Sequence, residues 1–383
     1  MLNVFYWSTG QDDNLGDVVL RRRLLNVLLN QRDTEGQSLH VYVGSASAGF
    51  IKGLGIPVDA HVYTSKTAWL LAMVMNTLQR RPPVLVFNPG EVQLNLKTTV
   101  AYMSLWAPAA IIRLRGGAVV RTGTALDNRV TQPIAVLAKL AVRVANLATS
   151  IGSWRDVASR DEFGGGKLVP DWAIEKPSED KDGYRRTLLA VTYRSDRGHA
   201  FDEYAIKRIR EMAERYELKV IVYCQVRRDQ VAMQKLAKDQ GWEYIAWAST
   251  TPHLEQEIIV RGLLVKSRFV CSNRIHALII GLTEGAQAIC ISSDDEHKVR
   301  THLEYFGLTT MILSNPIEDS LDFNAVVPQR NESAEALANA SAVVADLSRH
   351  VSASVCQFKE IEHRDGIKTG LVTEISIRKN HEN

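Results

Sequence analysis

Ser272-Asn273-Arg274-Ile275-His276-Ala277 places a guanidinium and an imidazole two residues apart. The segment lies between an apolar run that reads as a strand, ending at Cys271, and one that reads as a helix, Leu278–Leu282. Arg274 and His276 then fall in the opening turn of the helix, where orphan amides and the positive end of the dipole already favour an anion. A fixed cation beside a group that exchanges a proton near neutral pH suits binding an anionic substrate and protonating it. A capping histidine beside a solvated arginine would show the same letters, so a site requires other residues to converge on this turn.

Candidates for convergence stand just after other strand-like runs. Arg155 follows Ser153-Trp154, and Arg194 follows Thr187–Tyr193; each offers the planar fork that fits a carboxylate or phosphate. After Leu2–Trp7 comes a polar loop holding Asn14, Gly16 and Asp17, then a helix. Asn14 or Asp17 can cap that helix, and Gly16 permits a tight turn. Gly90-Glu91 and Gly123 follow the runs Val84–Phe87 and Ala118–Arg121, where glycine suits close approach of backbone to a ligand.

These positions meet only if the chain alternates strands and helices. It does so almost throughout: short buried-strand runs are separated by segments with apolar residues three and four apart, as in Val18, Leu20, Leu24, Leu25 and Leu28. The fold class expected is α/β, with two Rossmann-like doubly wound domains facing a central cleft. The charged, Pro- and Gly-bearing segment Lys176–Gly183 reads as a linker. It divides the chain into an N-terminal domain at 1–175, a C-terminal domain at 184–358 and a polar tail or hairpin at 359–383.

The chain has 383 residues, 45% of them apolar and 23% charged, which is ordinary globular composition. A net charge of +3 is too balanced for a duplex nucleic-acid partner. Four cysteines without metal-ligand spacing suit buried thiols in a reducing compartment, and the N-terminus shows no secretory leader, so a cytoplasmic protein is expected. Thr98–Ile112 is a long uncharged apolar stretch interrupted by Pro108; it reads as a core helix, and it is apolar enough to lie against a bilayer surface. The GxSxG, HExxH, Walker and GxGxxG signatures are absent, which leaves serine-hydrolase, zincin, P-loop and nicotinamide readings without their motifs.

With these residues in place, the chain resembles the polysaccharide pyruvyltransferases. The resemblance runs over about residues 3–315 through Asn14-x-Gly16-Asp17, Arg155-Asp156-x-x-Ser159, Val169-Pro170-Asp171, Tyr193-Arg194, Gln225 with Asp229, and Ser272-x-Arg274-x-His276-Ala277. It implies a GT-B-like fold and transfer of the pyruvyl group of phosphoenolpyruvate to a sugar of an exopolysaccharide or cell-wall glycan, as a ketal with release of phosphate. Arg274, Arg194, Arg155, Ser272 and Gln225 would hold the donor, His276 would be the general acid, and Asp17 a base or hydroxyl orienter. Asn14, Gly16, Gly90, Glu91 and Gly123 would belong to the acceptor side or its loops. No metal or cofactor is implied beyond phosphoenolpyruvate as co-substrate. The partner implied is a glycan acceptor, free or lipid-linked, met at the inner face of the membrane; a homo-oligomer is left open. The alternative is a GT-B glycosyltransferase using a nucleotide sugar, with Glu284 or Asp295 holding the ribose.

Overall fold

A computed structural model describes residues 2–30, 37–79, 82–126, 133–175, 186–195, 203–292, 299–301, 307, 312–313 and 334–353. The first half contains β1 (Leu2–Trp7), α1 (Leu15–Leu29), β2 (Gln37–Tyr42), α2 (Ala48–Leu54), β3 (His61–Tyr63), α3 (Lys66–Thr77), β4 (Val84–Val86) and β5 (Gly90–Val92). It continues through α4 (Leu96–Leu114), β6 (Ala118–Leu126), α5 (Pro133–Leu147), β7 (Ile151–Trp154), α6 (Val157–Phe163) and β8 (Lys167–Leu168). The second half contains β9 (Leu188–Val191), α7 (Glu203–Arg215), β10 (Lys219–Tyr223), α8 (Gln230–Gln240), β11 (Glu243–Ile245) and α9 (His253–Val265). Then come β12 (Ser267–Cys271), α10 (Ile275–Thr283), β13 (Gln287–Ile291), β14 (Ile312–Leu313) and α11, residues 334–353.

Each half is one parallel sheet. The first runs β3-β2-β1-β4-β6-β7-β8 with β5 against β6, and the second runs β11-β10-β9-β12-β13-β14. Strands covered on both sides need apolar residues at every position, which is why Val84–Val86 and Val220–Tyr223 are buried without alternation. Strand order reverses between β1 and β4 in one sheet and between β9 and β12 in the other, and such reversals open a crevice at the strand ends. The segments that follow these four strands carry Asn14, Gly90 at the head of β5, Arg194 and Arg274.

The halves share an interface. One apolar cluster runs from Val18, Leu24 and Phe50 of the first half to Val260, Leu264 and Leu278 of the second. Around it, Arg22 meets Glu257 at 2.6 Å, and Arg261 meets Glu175, Glu257 and Glu284 at 3.1, 2.9 and 2.6 Å. Backbone bonds join the halves as well: the Arg227 amide donates to Asp13 O at 2.8 Å and the Leu15 amide to Gln225 O at 3.3 Å.

Several sequence expectations need correction. The strand expected to end at Arg121 extends to Leu126, so Gly123 is inside a strand instead of in the loop after it. A charged residue usually marks a strand end, but Arg121 is fully buried, its guanidinium 4.8, 5.2 and 5.6 Å from the rings of Phe87, Tyr102 and Trp154. Gly90 and Glu91 form the short strand β5. Pro108 does not interrupt Thr98–Ile112, because α4 runs through it. The linker at 176–183 and the tail at 359–383 lie outside the described residues.

His40, on β2, stacks on Phe5 and His61 at 4.3 and 4.6 Å. Burial, and then the neighbouring His61, push its pKa down to about 4. A histidine depressed in this way stabilises the fold above about pH 6.5 and loses that contribution as pH falls through about 4. Thermal unfolding followed across that window is expected to show a falling midpoint, with a flatter profile in His40→Gln.

Candidate functional site

Polar loops from both sheets enclose a cavity of about 1070 Å³ between the halves. From the first half it is lined by Asn14, Asp17, Gly90, Glu91 and Arg155, and from the second by Arg194, Gln225, Arg274 and His276. Nine of the residues singled out in the sequence therefore meet on one cleft. Gly16, Gly123 and Ser272 do not line it.

The strand-to-helix turn after β12 forms as expected. Arg274 is the extended residue before α10, and its own amide donates to Ser272 Oγ at 2.9 Å, so Ser272 shapes the turn instead of facing the cleft. The helix behind it is apolar nearly all round and fully packed, which fixes the turn to the core. Arg274 Nε donates to Asp229 Oδ2 at 2.5 Å. Asp229 is fully buried and also accepts from the Ser195 amide and hydroxyl at 2.9 and 2.8 Å. The Arg194 amide donates to Asn273 Oδ1 at 2.8 Å. One buried carboxylate and one amide side chain thus brace the Arg194 and Arg274 loops against each other.

Across the cleft, Arg155 Nη1 donates to Asp171 Oδ2. The same oxygen lies 3.4 Å from His276 Nε2. Burial alone would raise the Asp171 pKa, but Arg155 and then His276 hold it well below the usual carboxylate range. Burial likewise opposes charge on Arg155, and Asp171 followed by Glu91 keeps it cationic. Asp171 follows β8 in the first half while His276 opens α10 in the second, so this histidine–carboxylate pair exists only across the interface. In the sequence, Asp171 stood only as the end of Val169-Pro170-Asp171; a carboxylate just after a short strand was the available signal.

Gly16 has a different role from the expected turn. A side-chain carbon there would lie 2.3 Å from His276 Cγ and Nδ1, so the imidazole rests directly on this residue's backbone. Asn14 is the cap, its Oδ1 accepting from the Gly16 amide at 3.0 Å. Asp17 lines the cleft and is also engaged within its own loop, accepting from the Gln11 amide at 2.7 Å and pairing with Arg21 at 3.3 Å. Gly123 is required by a φ of +62° and by Trp172, whose ring would stand 2.5 Å from a side-chain carbon. Gln225 Oε1 is buried with no hydrogen-bond partner among the described residues, at the cleft wall. Glu284, the expected ribose ligand of the alternative reading, is bound by Arg261 at 2.6 Å and does not line the cavity; Asp295 lies outside the described residues.

Gly16→Ala is expected to push the His276 ring aside. A displacement of about 1 Å in a reacting group costs up to about 10²-fold in rate, so turnover should fall far more than the unfolding midpoint. Steady-state rates beside a melting curve check this.

No model of a known protein family and no curated protein matches the sequence. Solved structures do match the fold. A Listeria monocytogenes protein described as a UDP-N-acetylglucosamine 2-epimerase superposes with a TM-score of 0.56 at 12% identity, over 94% of this chain and 97% of that one. The UDP-GlcNAc 2-epimerase of Neisseria meningitidis bound to UDP-GlcNAc gives 0.51 at 8% identity, over 93% and 100%. The UDP-GlcNAc 2-epimerase of Methanocaldococcus jannaschii gives 0.50 at 9%, over 91% and 100%.

Proposed function

The chain has the two-domain Rossmann-like GT-B fold, and we propose that its cleft is an active site that transfers a group from a small, multiply anionic donor to a glycan. The observation that carries this reading is the convergence of Arg155, Arg194, Arg274 and His276 on one cavity, each braced by a buried partner or a packed turn. Three guanidiniums suit a donor with both phosphate and carboxylate, and an imidazole poised by Asp171 suits proton transfer to it.

Phosphoenolpyruvate is the donor that meets this description together with the motif resemblance. Arg274, Arg194 and Arg155 bind its phosphate and carboxylate. His276 gives a proton to the methylene carbon, which leaves an oxocarbenium-like centre at the neighbouring carbon. One sugar hydroxyl adds there and its proton restores His276. The C–O bond to phosphate then breaks, the phosphate taking the electron pair and leaving a second oxocarbenium-like centre. The second hydroxyl closes on that centre, its proton passing to the departed phosphate, and the products are the pyruvate ketal and inorganic phosphate. Asp17 and Glu91, on the opposite wall, face the acceptor.

A second reading has its own support. The fold relatives are described as enzymes of UDP-N-acetylglucosamine, and a nucleotide-sugar donor would fill the same cleft. Against it stands the lack of a carboxylate on the second-half wall among the described residues that line the cavity. Thermal unfolding separates the two. At a hundred times its dissociation constant a ligand adds about 2.7 kcal/mol, a shift of a few degrees. Phosphoenolpyruvate is expected to give that shift, and Arg274→Ala to abolish it. A shift with UDP-sugars alone would replace the pyruvyl reading with a glycosyltransferase or epimerase one.

A further inference from the structure

From His61 through Arg155 the chain carries eleven Lys and Arg but only two acidic residues, Glu91 and Asp127. The rest of the chain has the opposite excess, since the whole carries a net charge of only +3. Within that stretch α3, α4 and α5 contain no Asp or Glu, and they lie side by side on one face of the first sheet. The sides facing the sheet are packed with Trp69, Met73, Tyr102, Leu105, Ala138 and Val142.

Their outer sides are apolar too. Leu78 of the α3 end is 67% exposed, Val100, Trp106 and Leu114 of α4 are 58, 43 and 87% exposed, and Leu140 and Leu147 of α5 are 55 and 85% exposed. Apolar side chains recur at steps of three and four along each outer face, and α3 neighbours α4 as α4 neighbours α5, so exposed apolar side chains gather on one side of the sheet. A large exposed apolar patch of this kind marks an interaction site. Lys97, Arg113 and Arg115 stand exposed at the two ends of α4. The acidic side chain that reaches α5, Glu162 of α6, is already engaged by Lys139 and Arg143 at 3.1 and 2.9 Å.

The charge chooses among occupants. A second copy docked on this face would bring like-charged side chains together with no carboxylate on the three helices to answer them. A bilayer with anionic headgroups supplies the opposite charge at its surface and hydrocarbon beneath, and tryptophan favours the boundary between the two. The face also reaches the cleft, because Leu96 and Val100 line the cavity as well as standing exposed. We propose that α3, α4 and α5 form a peripheral docking face for an anionic lipid bilayer, with the mouth of the cleft at its edge. This is independent of which donor the cleft takes. No helix among the described residues is long and apolar enough to cross a membrane, so the contact is one of lying on the surface.

Flotation of the full chain with phosphatidylglycerol–phosphatidylcholine vesicles tests it, with phosphatidylcholine vesicles in parallel. Binding to the anionic vesicles is expected, weakening with added salt and on neutral vesicles. Combining Trp106→Ser, Leu114→Ser and Leu140→Ser should weaken it about tenfold or more with an unchanged melting midpoint, since the three side chains are exposed. Arg113→Glu with Arg115→Glu should weaken it without altering the apolar stripes. Binding unaffected by either set, or no binding to anionic vesicles, would overturn the proposal. A stable dimer in sedimentation equilibrium that the serine substitutions dissociate, with no vesicle binding, would assign the face to a second copy instead.

Discussion

A His276→Ala variant is expected to turn over about 10³-fold more slowly while still binding donor. A positioned acid–base group contributes on the order of 10² to 10⁴ in rate. His276 lies at the cleft wall without carrying packing for the core, since its side chain keeps 11% exposure and its neighbours on α10 supply the apolar contacts. The three guanidiniums proposed to hold the donor, those of Arg155, Arg194 and Arg274, stay in place without it. The expected pattern is therefore a lost kcat, a retained thermal shift with phosphoenolpyruvate and a nearly unchanged melting midpoint. Wild-type rates in this variant with a true acceptor would remove His276 from the mechanism. Loss of the thermal shift as well would reassign it to donor binding.

Asp171→Ala is expected to damage stability and rate together. The carboxylate is buried between Arg155 and His276, and removing one partner of a buried pair leaves an uncompensated charge, at a cost of about 3 to 5 kcal/mol. Asp171→Asn keeps the shape and lacks the charge, so it should fold better than the alanine variant yet lose most of the turnover. The pH dependence follows from the sign of the shift. Because Asp171 is held below the ordinary carboxylate range in the fold, the unfolded chain binds its proton first as pH falls. Its stabilisation is complete above that ordinary range and disappears as pH drops through the depressed value. The acid side of the wild-type stability curve should accordingly be steeper than that of Asp171→Asn. Parallel curves would mean that Asp171 is not the anion the geometry makes it.

The sequence carried much of this fold because strand and helix periods are local. Val84–Val86 and the α10 segment announce themselves by composition, and residues just after strands are where a parallel sheet opens. That rule found Arg155, Arg194, Arg274 and His276. It misplaced Gly123, since a buried arginine among three aromatic rings looks from the sequence like the end of a strand. It missed Asp171 as His276's partner and the reason for Gly16, since both depend on packing between residues far apart in the chain. No periodicity reports which backbone an imidazole will rest on. Asp17 stands where the rule put it, on the cleft wall, and what the sequence did not show is that the Gln11 amide and the Arg21 guanidinium also engage it.

The position of the His276–Asp171 contact makes the chain a two-part authentication. The first half holds the carboxylate and the seat, Gly16; the second holds the ring. Neither half emerging alone from a ribosome, nor a conformer with the halves apart, contains both members of the proposed proton-transfer pair. On the proposed mechanism, a donor that wandered into an incomplete molecule would find guanidiniums but no poised acid, and would leave unchanged. If the proposed chemistry holds, it is licensed by tertiary assembly, and each turnover would certify that both halves are present and docked.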